Sequence, residues 1–287
     1  MRWWTYQKER FPILANGLLI AAFSSCALLY SSFLSKGPLP GVAMFIVAFG
    51  TCFIFFLQLR IADEFKDAEE DATYRPYRPV PSGLIKLREL GWLFALGALI
   101  QLALALWFSP RLLFILIFAW TYLALMSVEF FHREWLKARP ITYLWTHMLI
   151  MPIVDLYATA CYWQPTLDAP PSGLIWFLAA SFTNGLVIEL GRKIRLPDNE
   201  ETGVPTYSKL WGTKRSTTVW IACLIATTAF AIIASIPIGT AIPTALILGS
   251  LLLTFSIFQC PGKRLELLSA LWTLALYLTL GILPLLT

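Results

Sequence analysis

Charged residues are scarce in this chain. Asp, Glu, Lys and Arg make up 14% of its 287 residues, whereas a soluble domain carries roughly 25%. The hydrophobic fraction is 58%, and the apolar residues come in blocks of about 20, the length that crosses roughly 30 Å of hydrocarbon. This composition excludes a soluble globular protein. It indicates an integral membrane protein built from helices, which satisfy their own backbone hydrogen bonds.

Paired cysteines, sequence repeats and low-complexity tracts are also lacking. The five cysteines are scattered and form no CxxC pair, so we expect buried thiols and neither disulfides nor a cysteine metal cluster. The first apolar block is too long for the core of a signal peptide. We therefore expect a retained first span and one domain over residues 1–287.

The apolar blocks predict an all-α protein with nine transmembrane helices, separated by joints rich in proline and glycine. The expected spans are 11–34, 40–62, 84–108, 111–131, 141–163, 173–194, 217–236, 239–259 and 265–286. With these spans, 20 of the 22 Lys and Arg residues lie on one side of the bilayer. By the positive-inside rule that side is cytoplasmic, which predicts a cytoplasmic N-terminus and a C-terminus on the opposite side. The net charge of +5 belongs to this face, and no nucleic-acid partner is expected.

The first concentration of acids follows the second span, in the stretch RIADEFKDAEEDATYRPYRP, residues 60–79. If the helix continues beyond the span, its geometry places five carboxylates on one face: Asp63, Glu64, Asp67, Glu70 and Asp71. Like charges on one face are destabilising unless a cation lies there. Carboxylate oxygens suit Mg²⁺, which shares its remaining coordination sites with phosphates. The pattern predicts a magnesium site, and the alternative is a solvated charged loop.

Basic residues accompany these acids. Arg75 and Arg78 lie beside prolines that stiffen the turn, and a guanidinium group suits phosphate oxygens. A second mixture of acids and bases ends the sixth span, in IELGRKIRLPDNEETGVPTYSKLWG, residues 188–212. Two such segments on the same side of the membrane, facing each other, predict a diphosphate site at the cytoplasmic end of the helices.

The first segment resembles the motif NDxxDxxxD of the UbiA superfamily of intramembrane prenyltransferases. The matching residues are Asp63, Glu64, Asp67 and Asp71, with Asp63 at the family's Asn and Glu64 at its first Asp. Arg78-Pro79 falls where family members carry Arg-Pro. The resemblance extends over essentially the whole chain.

The second segment matches the family in part. Gly203, Thr206 and Gly212 stand at the family's Gly, Thr and Gly positions, but Arg192 and Asn199 occupy places where the family has aspartates. With a shifted spacing, the replacement ligands are Glu189, Asp198 and Glu201. Lys193 resembles the family's phosphate-facing lysine, and pairing with Glu189 is its alternative role.

The resemblance implies nine helices around a central cavity, capped by cytoplasmic loops. It implies Mg²⁺-dependent transfer of a prenyl group from a prenyl diphosphate to an acceptor, often aromatic, within the lipid bilayer. The implied metal ligands are Asp63, Glu64, Asp67, Asp71, Glu189, Asp198 and Glu201. The implied catalytic residues are Asp63, Asp67, Asp71, Arg78 and Lys193. Substrate contacts are expected from Arg75, Arg78 and Lys193, with Asn16 on the first span facing the chamber.

Two other functions are compatible with parts of this pattern. A terpene cyclase of the same superfamily would carry the same motifs and would consume prenyl diphosphate with no second substrate. A transporter would place its ionisable residues near the membrane midplane, often with internal repeats. Here the carboxylates cluster at the ends of the spans. Asp155, within the fifth span, is an ionisable intramembrane residue and so a further candidate.

Overall fold

The computed structural model describes residues 1–167, 169–200, 203–258 and 262–287. Within these ranges the regular structure is helical, with no strands. The helices are α1 (Arg2–Arg10), α2 (Ile13–Leu34), α3 (Val42–Lys66), α4 (Ala68–Tyr74), α5 (Leu87–Phe108), α6 (Leu112–Ser127), α7 (Arg133–Lys137), α8 (Pro140–Met148), α9 (Ile150–Trp163), α10 (Leu174–Lys193), α11 (Tyr207–Trp211), α12 (Thr213–Ser235), α13 (Ala241–Phe258) and α14 (Lys263–Gly281). The predicted all-helical class is confirmed for the described residues.

Seven helical segments are long and apolar enough to cross a membrane. They are Ile13–Leu34, Val42–Lys66, Leu87–Phe108, Pro140–Trp163, Leu174–Lys193, Thr213–Ser235 and Lys263–Leu285. The fourth and eighth predicted spans correspond to shorter apolar helices, α6 and α13. The 16 residues of α6 rise about 24 Å, which is less than the roughly 30 Å hydrocarbon core. The protein is a multi-pass membrane protein, and the full count of nine spans stays a prediction.

The fifth predicted span is interrupted at Leu149, between α8 and α9. Pro152 explains the break, because proline has no amide hydrogen to bond to the carbonyl of Met148, four residues earlier. Met148 is the last residue of α8. The two pieces together still form one candidate membrane span.

Aromatic rings fill the place where α2, α3, α10 and α14 meet. Phe23 of α2 lies 5.5 Å from Phe56 and 4.9 Å from Tyr277, measured between ring centroids. Tyr30 stacks on Phe177 at 4.6 Å, and Phe177 also meets Tyr277 at 6.1 Å. These five rings give the bundle interior an electron-rich wall.

The short helix α1 packs at the end of the bundle where α3 stops and α5 starts. Its Tyr6 is buried and forms a small apolar cluster with Ile61, Ile85 and Leu90. Trp4 is 70% exposed on the other face of the helix. The N-terminal segment is thus an amphipathic helix docked beside the first acidic segment.

Candidate active site

The first acidic segment is divided between two helices. α3 ends at Lys66, and α4 begins at Ala68. Asp67 lies between them with φ −96° and ψ 9°, so the single continuous helix expected from the sequence is interrupted there. As a result, the five acids expected on one face have different surroundings.

Glu64 and Asp71 are buried among arginines. Glu64 accepts a hydrogen bond from Arg10 Nε at 2.5 Å and lies 3.4 Å from Arg60. Asp71 lies 2.8 Å from both Arg75 and Arg78. Buried carboxylates are costly unless paired and hydrogen-bonded, and the guanidinium groups supply that pairing.

Arg10 joins these two acids. Besides its bond to Glu64, it places Nη2 3.8 Å from Asp71, and its side chain is 9% exposed. Sequence reasoning missed this residue because only the docking of α1 brings it to the acidic segment. Arg60 was also missed, although its spacing of four residues from Glu64 is a recognisable helical pairing.

Asp63 and Asp67 remain accessible. The Asp63 carboxylate is 36% exposed and lies 3.7 Å from both Arg60 and Lys66. The Asp67 carboxylate makes no hydrogen bond or ion pair with any residue that the structure describes, and the backbone of Asp67 continues the helical hydrogen bonds to Asp63 and Asp71. Burial raises the pKa of the Asp67 carboxyl, against the effect of Lys66, and neighbouring acids raise it further. Asp67 therefore lies where negative charge is in excess.

Glu70 belongs to a separate contact. Its Oε1 accepts hydrogen bonds from Lys137 Nζ at 2.5 Å and Arg133 Nη2 at 3.3 Å, both on α7. This pairing fixes α4 against α7. Glu70 therefore has a structural role in this arrangement, although the helical wheel places it beside Asp63.

The second acidic segment begins at the end of α10 with Glu189, which is buried. Arg192 Nη2 lies 2.6 Å from one carboxylate oxygen and Lys193 Nζ lies 2.8 Å from the other. These are contacts within one helix, three and four residues apart. Arg192 is also close enough to Asp63 to interact with it electrostatically. The ends of α3 and α10 thus face each other across one site.

Tyr143 of α8 stands between the two segments. Its hydroxyl accepts a hydrogen bond from Lys66 Nζ at 3.1 Å. Lys66 Nζ lies 5.7 Å from the centroid of its ring, and Lys193 Nζ lies 5.9 Å from it. Sequence reasoning did not single out Tyr143, and no local signal would have found it.

The remainder of the second segment folds onto the first. Gly203, with φ +75°, packs so closely on Tyr74 of α4 that a Cβ atom would overlap the tyrosine ring. Glu200 accepts hydrogen bonds from the hydroxyls of Thr206 at 2.7 Å and Ser208 at 2.6 Å. The two cap loops predicted from the sequence are therefore in contact.

The other predicted residues lie outside this cluster. Asp198 is exposed in the 3₁₀ helix Pro197–Asn199, and Glu201 lies outside the described residues. Asn16 is partly exposed at the start of α2, and its side chain bonds to none of the described residues. Asp155 is fully buried and accepts a hydrogen bond from Tyr277 at 2.6 Å, which gives it a role in packing α9 against α14.

Mg²⁺ is bound in proteins by oxygen ligands, chiefly carboxylates and water. Among the described residues, no group of three or more His, Cys, Asp or Glu side chains is arranged for a metal ion. Asp63 and Asp67 nevertheless fit, because they are partly exposed oxygen ligands four residues apart and neither carboxylate is held by a close hydrogen bond. Glu64, Asp71 and Glu189 are held by basic side chains, which a bound metal would have to displace in part.

A bundle of apolar helices with acidic and basic side chains clustered at one end defines an integral membrane protein with a charged site at the end of its helices. The chain matches the UbiA prenyltransferase family over residues 18–274, and it belongs to that family. Family membership supports intramembrane prenyl transfer as its general activity.

Solved structures show the same fold. The chain is similar to the apo structure of a UbiA homologue from Aeropyrum pernix K1, with a TM-score of 0.70 and 16% identity over 93% of this chain and 98% of that one. It is also similar to a structure described as digeranylgeranylglyceryl phosphate synthase, with a TM-score of 0.60 and 15% identity over 99% of this chain and 96% of that one. A search of curated proteins finds no match.

Proposed function

We propose that this protein transfers a prenyl group from a prenyl diphosphate to an aromatic acceptor in a Mg²⁺-dependent reaction. The observation that carries the proposal is the meeting of the two charged segments at the ends of α3 and α10, with Tyr143 between Lys66 and Lys193. Below them the bundle interior is lined with aromatic rings. In this proposal the charged headgroup binds at the two segments and the apolar chain lies against the aromatic rings.

Basic side chains would bind the diphosphate. Arg75, Arg78 and Lys193 now neutralise Asp71 and Glu189 at 2.8 Å, so they are held near the site by partners of opposite charge. Arg192 adds a guanidinium group that pairs with Glu189 and interacts electrostatically with Asp63. Guanidinium groups bind phosphate oxygens in a bidentate manner, and partners already in place reduce the cost of ordering them.

Asp63 and Asp67 would hold Mg²⁺, with Glu64, Asp71, Glu189, Asp198 and Glu201 as the further ligands that the family resemblance implies. A bound Mg²⁺ ion would neutralise negative charge on the departing diphosphate. Asp67 supports this role most directly, because its carboxylate is partly exposed and forms no hydrogen bond or ion pair with a described residue.

The reaction proceeds by breaking the bond between C1 of the prenyl group and the diphosphate oxygen. Both electrons leave with the diphosphate, where the basic side chains stabilise them. The allylic carbon then bonds to the acceptor, which loses one proton. Rings such as Phe23 and Tyr277 would stabilise positive charge on the prenyl group through their faces, and the contact between Gly203 and Tyr74 would help to exclude water.

A product assay tests this proposal. Purified protein in detergent would be incubated with radiolabelled prenyl diphosphates of several chain lengths and a panel of phenols and hydroxybenzoates, with Mg²⁺ or with EDTA. We expect a prenylated acceptor only when Mg²⁺ and acceptor are both present. Release of a cyclic terpene without acceptor would establish the cyclase alternative, and undiminished turnover in EDTA would remove the metal from the proposal.

A further inference from the structure

Four ionisable side chains from three elements form a network beside Asp63. They are Lys66 at the end of α3, Glu129 in the 3₁₀ helix Glu129–Phe131, and Tyr143 and His147 of α8. Glu129 and His147 are 3% and 6% exposed. Buried charged groups are costly unless they are paired, so we examined what this pairing does for the site.

Glu129 reaches the interior through a strained turn. Glu129, Phe130 and Phe131 have φ angles of +52°, +50° and +62°, in the left-handed region that residues with side chains rarely adopt. The turn buries the Glu129 side chain, whereas Phe131 is 77% exposed. Strained backbone of this kind persists where surrounding contacts fix it, and it is concentrated at functional sites. The turn therefore marks Glu129 as a candidate for a functional role.

His147 holds the Glu129 carboxylate on one side. His147 Nε2 lies 3.2 Å from Glu129 Oε2, and His147 Nδ1 lies 2.9 Å from the carbonyl oxygen of Tyr143. A carbonyl oxygen only accepts, so Nδ1 is the donor there, and a ring that carries both protons satisfies both contacts. Burial alone would raise the pKa of the Glu129 carboxyl, but hydrogen bonding by His147 and the charge of Lys66 hold it below its usual value. Glu129 is therefore a carboxylate fixed between two basic groups.

Lys66 lies between Glu129 and Asp63. Its Nζ is 3.5 Å from Glu129 Oε1 and 3.7 Å from Asp63 Oδ1. It also donates a hydrogen bond to the hydroxyl of Tyr143 at 3.1 Å, and that hydroxyl donates to Glu129 Oε1 at 3.2 Å. A lysine three residues after an aspartate in a helix is placed to pair with it. Here Tyr143 and Glu129 draw the ammonium group away, and Asp63 remains 36% exposed.

We propose that Glu129 is a positioning residue that holds the ammonium group of Lys66 away from Asp63, so that the Asp63 carboxylate stays free to bind a divalent cation. His147 is a second positioning residue, because it keeps Glu129 in place. This inference rests on the metal role that the proposed function gives to Asp63. Without the charge of Glu129, Lys66 would pair with Asp63 and compete with the cation for its oxygens.

Cation binding in the absence of substrate tests the proposal. Mn²⁺ prefers the same oxygen ligands as Mg²⁺, and the loss of its free-ion EPR signal gives the Kd for the purified protein. We expect saturable binding by the wild type and a Kd about tenfold higher in Glu129→Gln. Glu134→Gln is the matched control, because Glu134 is exposed on α7, and it should bind like the wild type.

The outcomes separate this inference from the proposed function. Saturable Mn²⁺ binding with equal Kd values in Glu129→Gln and the wild type would overturn the inference and leave the proposed function intact. No saturable binding by the wild type would refute the metal role of Asp63, and the inference with it.

A second substitution distinguishes positioning from damage to the fold. Lys66→Met removes the ammonium group, so in the Glu129→Gln background it should restore the Kd for Mn²⁺ to within about twofold of the wild type. A double variant that binds as weakly as Glu129→Gln would show that Lys66 is not the cause of the loss, and the inference would be wrong.

Two replacements of His147 test its part in the network. His147→Gln keeps a donor for Glu129 Oε2, and it should raise the Kd for Mn²⁺ less than twofold. His147→Leu has no donor and should raise the Kd about fivefold. Equal Kd values in the two variants would overturn the positioning role of His147.

Discussion

The two charged segments of the site are built in different ways. Glu64 and Asp71 of the first segment are held by arginines from α1, from α3 and from the loop after α4. Glu189 of the second segment is held by Arg192 and Lys193 of its own helix. The first arrangement combines local pairs made by Arg60 and Arg75 with the tertiary contact of Arg10, whereas the second is local to one helix end.

The two segments also differ in how closely they follow the sequence motifs of the family. The first segment keeps the spacing of the family motif, and a set of arginines fixed from several directions tolerates few changes. The second segment departs from the pattern, because Arg192 stands where an aspartate is usual. A local pairing can shift by one helical turn without disturbing the rest of the fold. We infer that the first segment sets the geometry of the site and that the second adapts to it.

The largest effect is expected at Asp67, in the first segment. Asp67→Asn removes the accessible carboxylate that has no basic partner among the described residues, and kcat should fall by a factor on the order of 10²–10³. Glu69→Gln is the matched control, because Glu69 is exposed on the adjacent α4 helix and should retain activity. Radiolabelled prenyl diphosphate consumption measures both. Near-normal activity in Asp67→Asn would show that the first segment does not hold the metal.

Asp67→Asn is expected to raise the stability of the metal-free protein, although it lowers activity. Burial raises the pKa of Asp67 above its unfolded value, so the folded state binds the proton more tightly than the unfolded state. The stability that this proton provides is present below the unfolded pKa and is lost as pH rises through the folded pKa. Without metal, Asp67→Asn should therefore raise the Tm at pH 7 and have less effect at pH 4. A lower Tm at pH 7 would contradict the raised pKa of this carboxyl.

The next effect is expected at Arg10, which ties α1 to both buried acids. Arg10→Ala should lower the free energy of unfolding by about 2 kcal/mol, less than the roughly 3–5 kcal/mol of a fully broken buried pair, because Arg60 still faces Glu64. Because carboxylate positions loosen, activity should fall about 10- to 100-fold. Arg2→Ala, on the same helix, removes an exposed pair with Glu89 and a contact with the Trp3 ring, and it should change little. Equal losses of stability and activity in the two variants would mean that α1 does not position the site.

The sequence predicts the helices and the acidic segments, but it does not predict which residues from other helices contact those segments. The apolar blocks locate the spans because hydrocarbon crossing requires a fixed length, and the break at Leu149 follows from Pro152 by a local rule. Arg10, Tyr143 and Glu129 reach the site through tertiary packing, which has no local signal. A helical wheel also could not anticipate that Asp67 interrupts the helix and that Glu70 turns to α7.

In the second segment the expected effect is smaller. Lys193→Met removes a cation that lies between Glu189 and the ring of Tyr143, and the KM for prenyl diphosphate should rise about tenfold with a smaller change in kcat. Lys214→Met, at the exposed start of α12, is the control for lost positive charge. A kcat loss as large as that of Asp67→Asn would show that the second segment is as rigidly required as the first.

The smallest effect is expected where the two segments touch. Gly203→Ala meets both a positive φ of 75° and the ring of Tyr74, whereas Gly212→Ala meets a positive φ of 80° with no atom within 4 Å of the added Cβ. The difference between the two variants therefore isolates the contact between the loops from backbone strain. We expect kcat/KM to fall about threefold more in Gly203→Ala than in Gly212→Ala, and Tyr74→Ala should remove that difference in the double variant. Equal values of kcat/KM in the two glycine variants would mean that the contact between the loops does not affect activity. The second segment would then not adapt to the first through this contact.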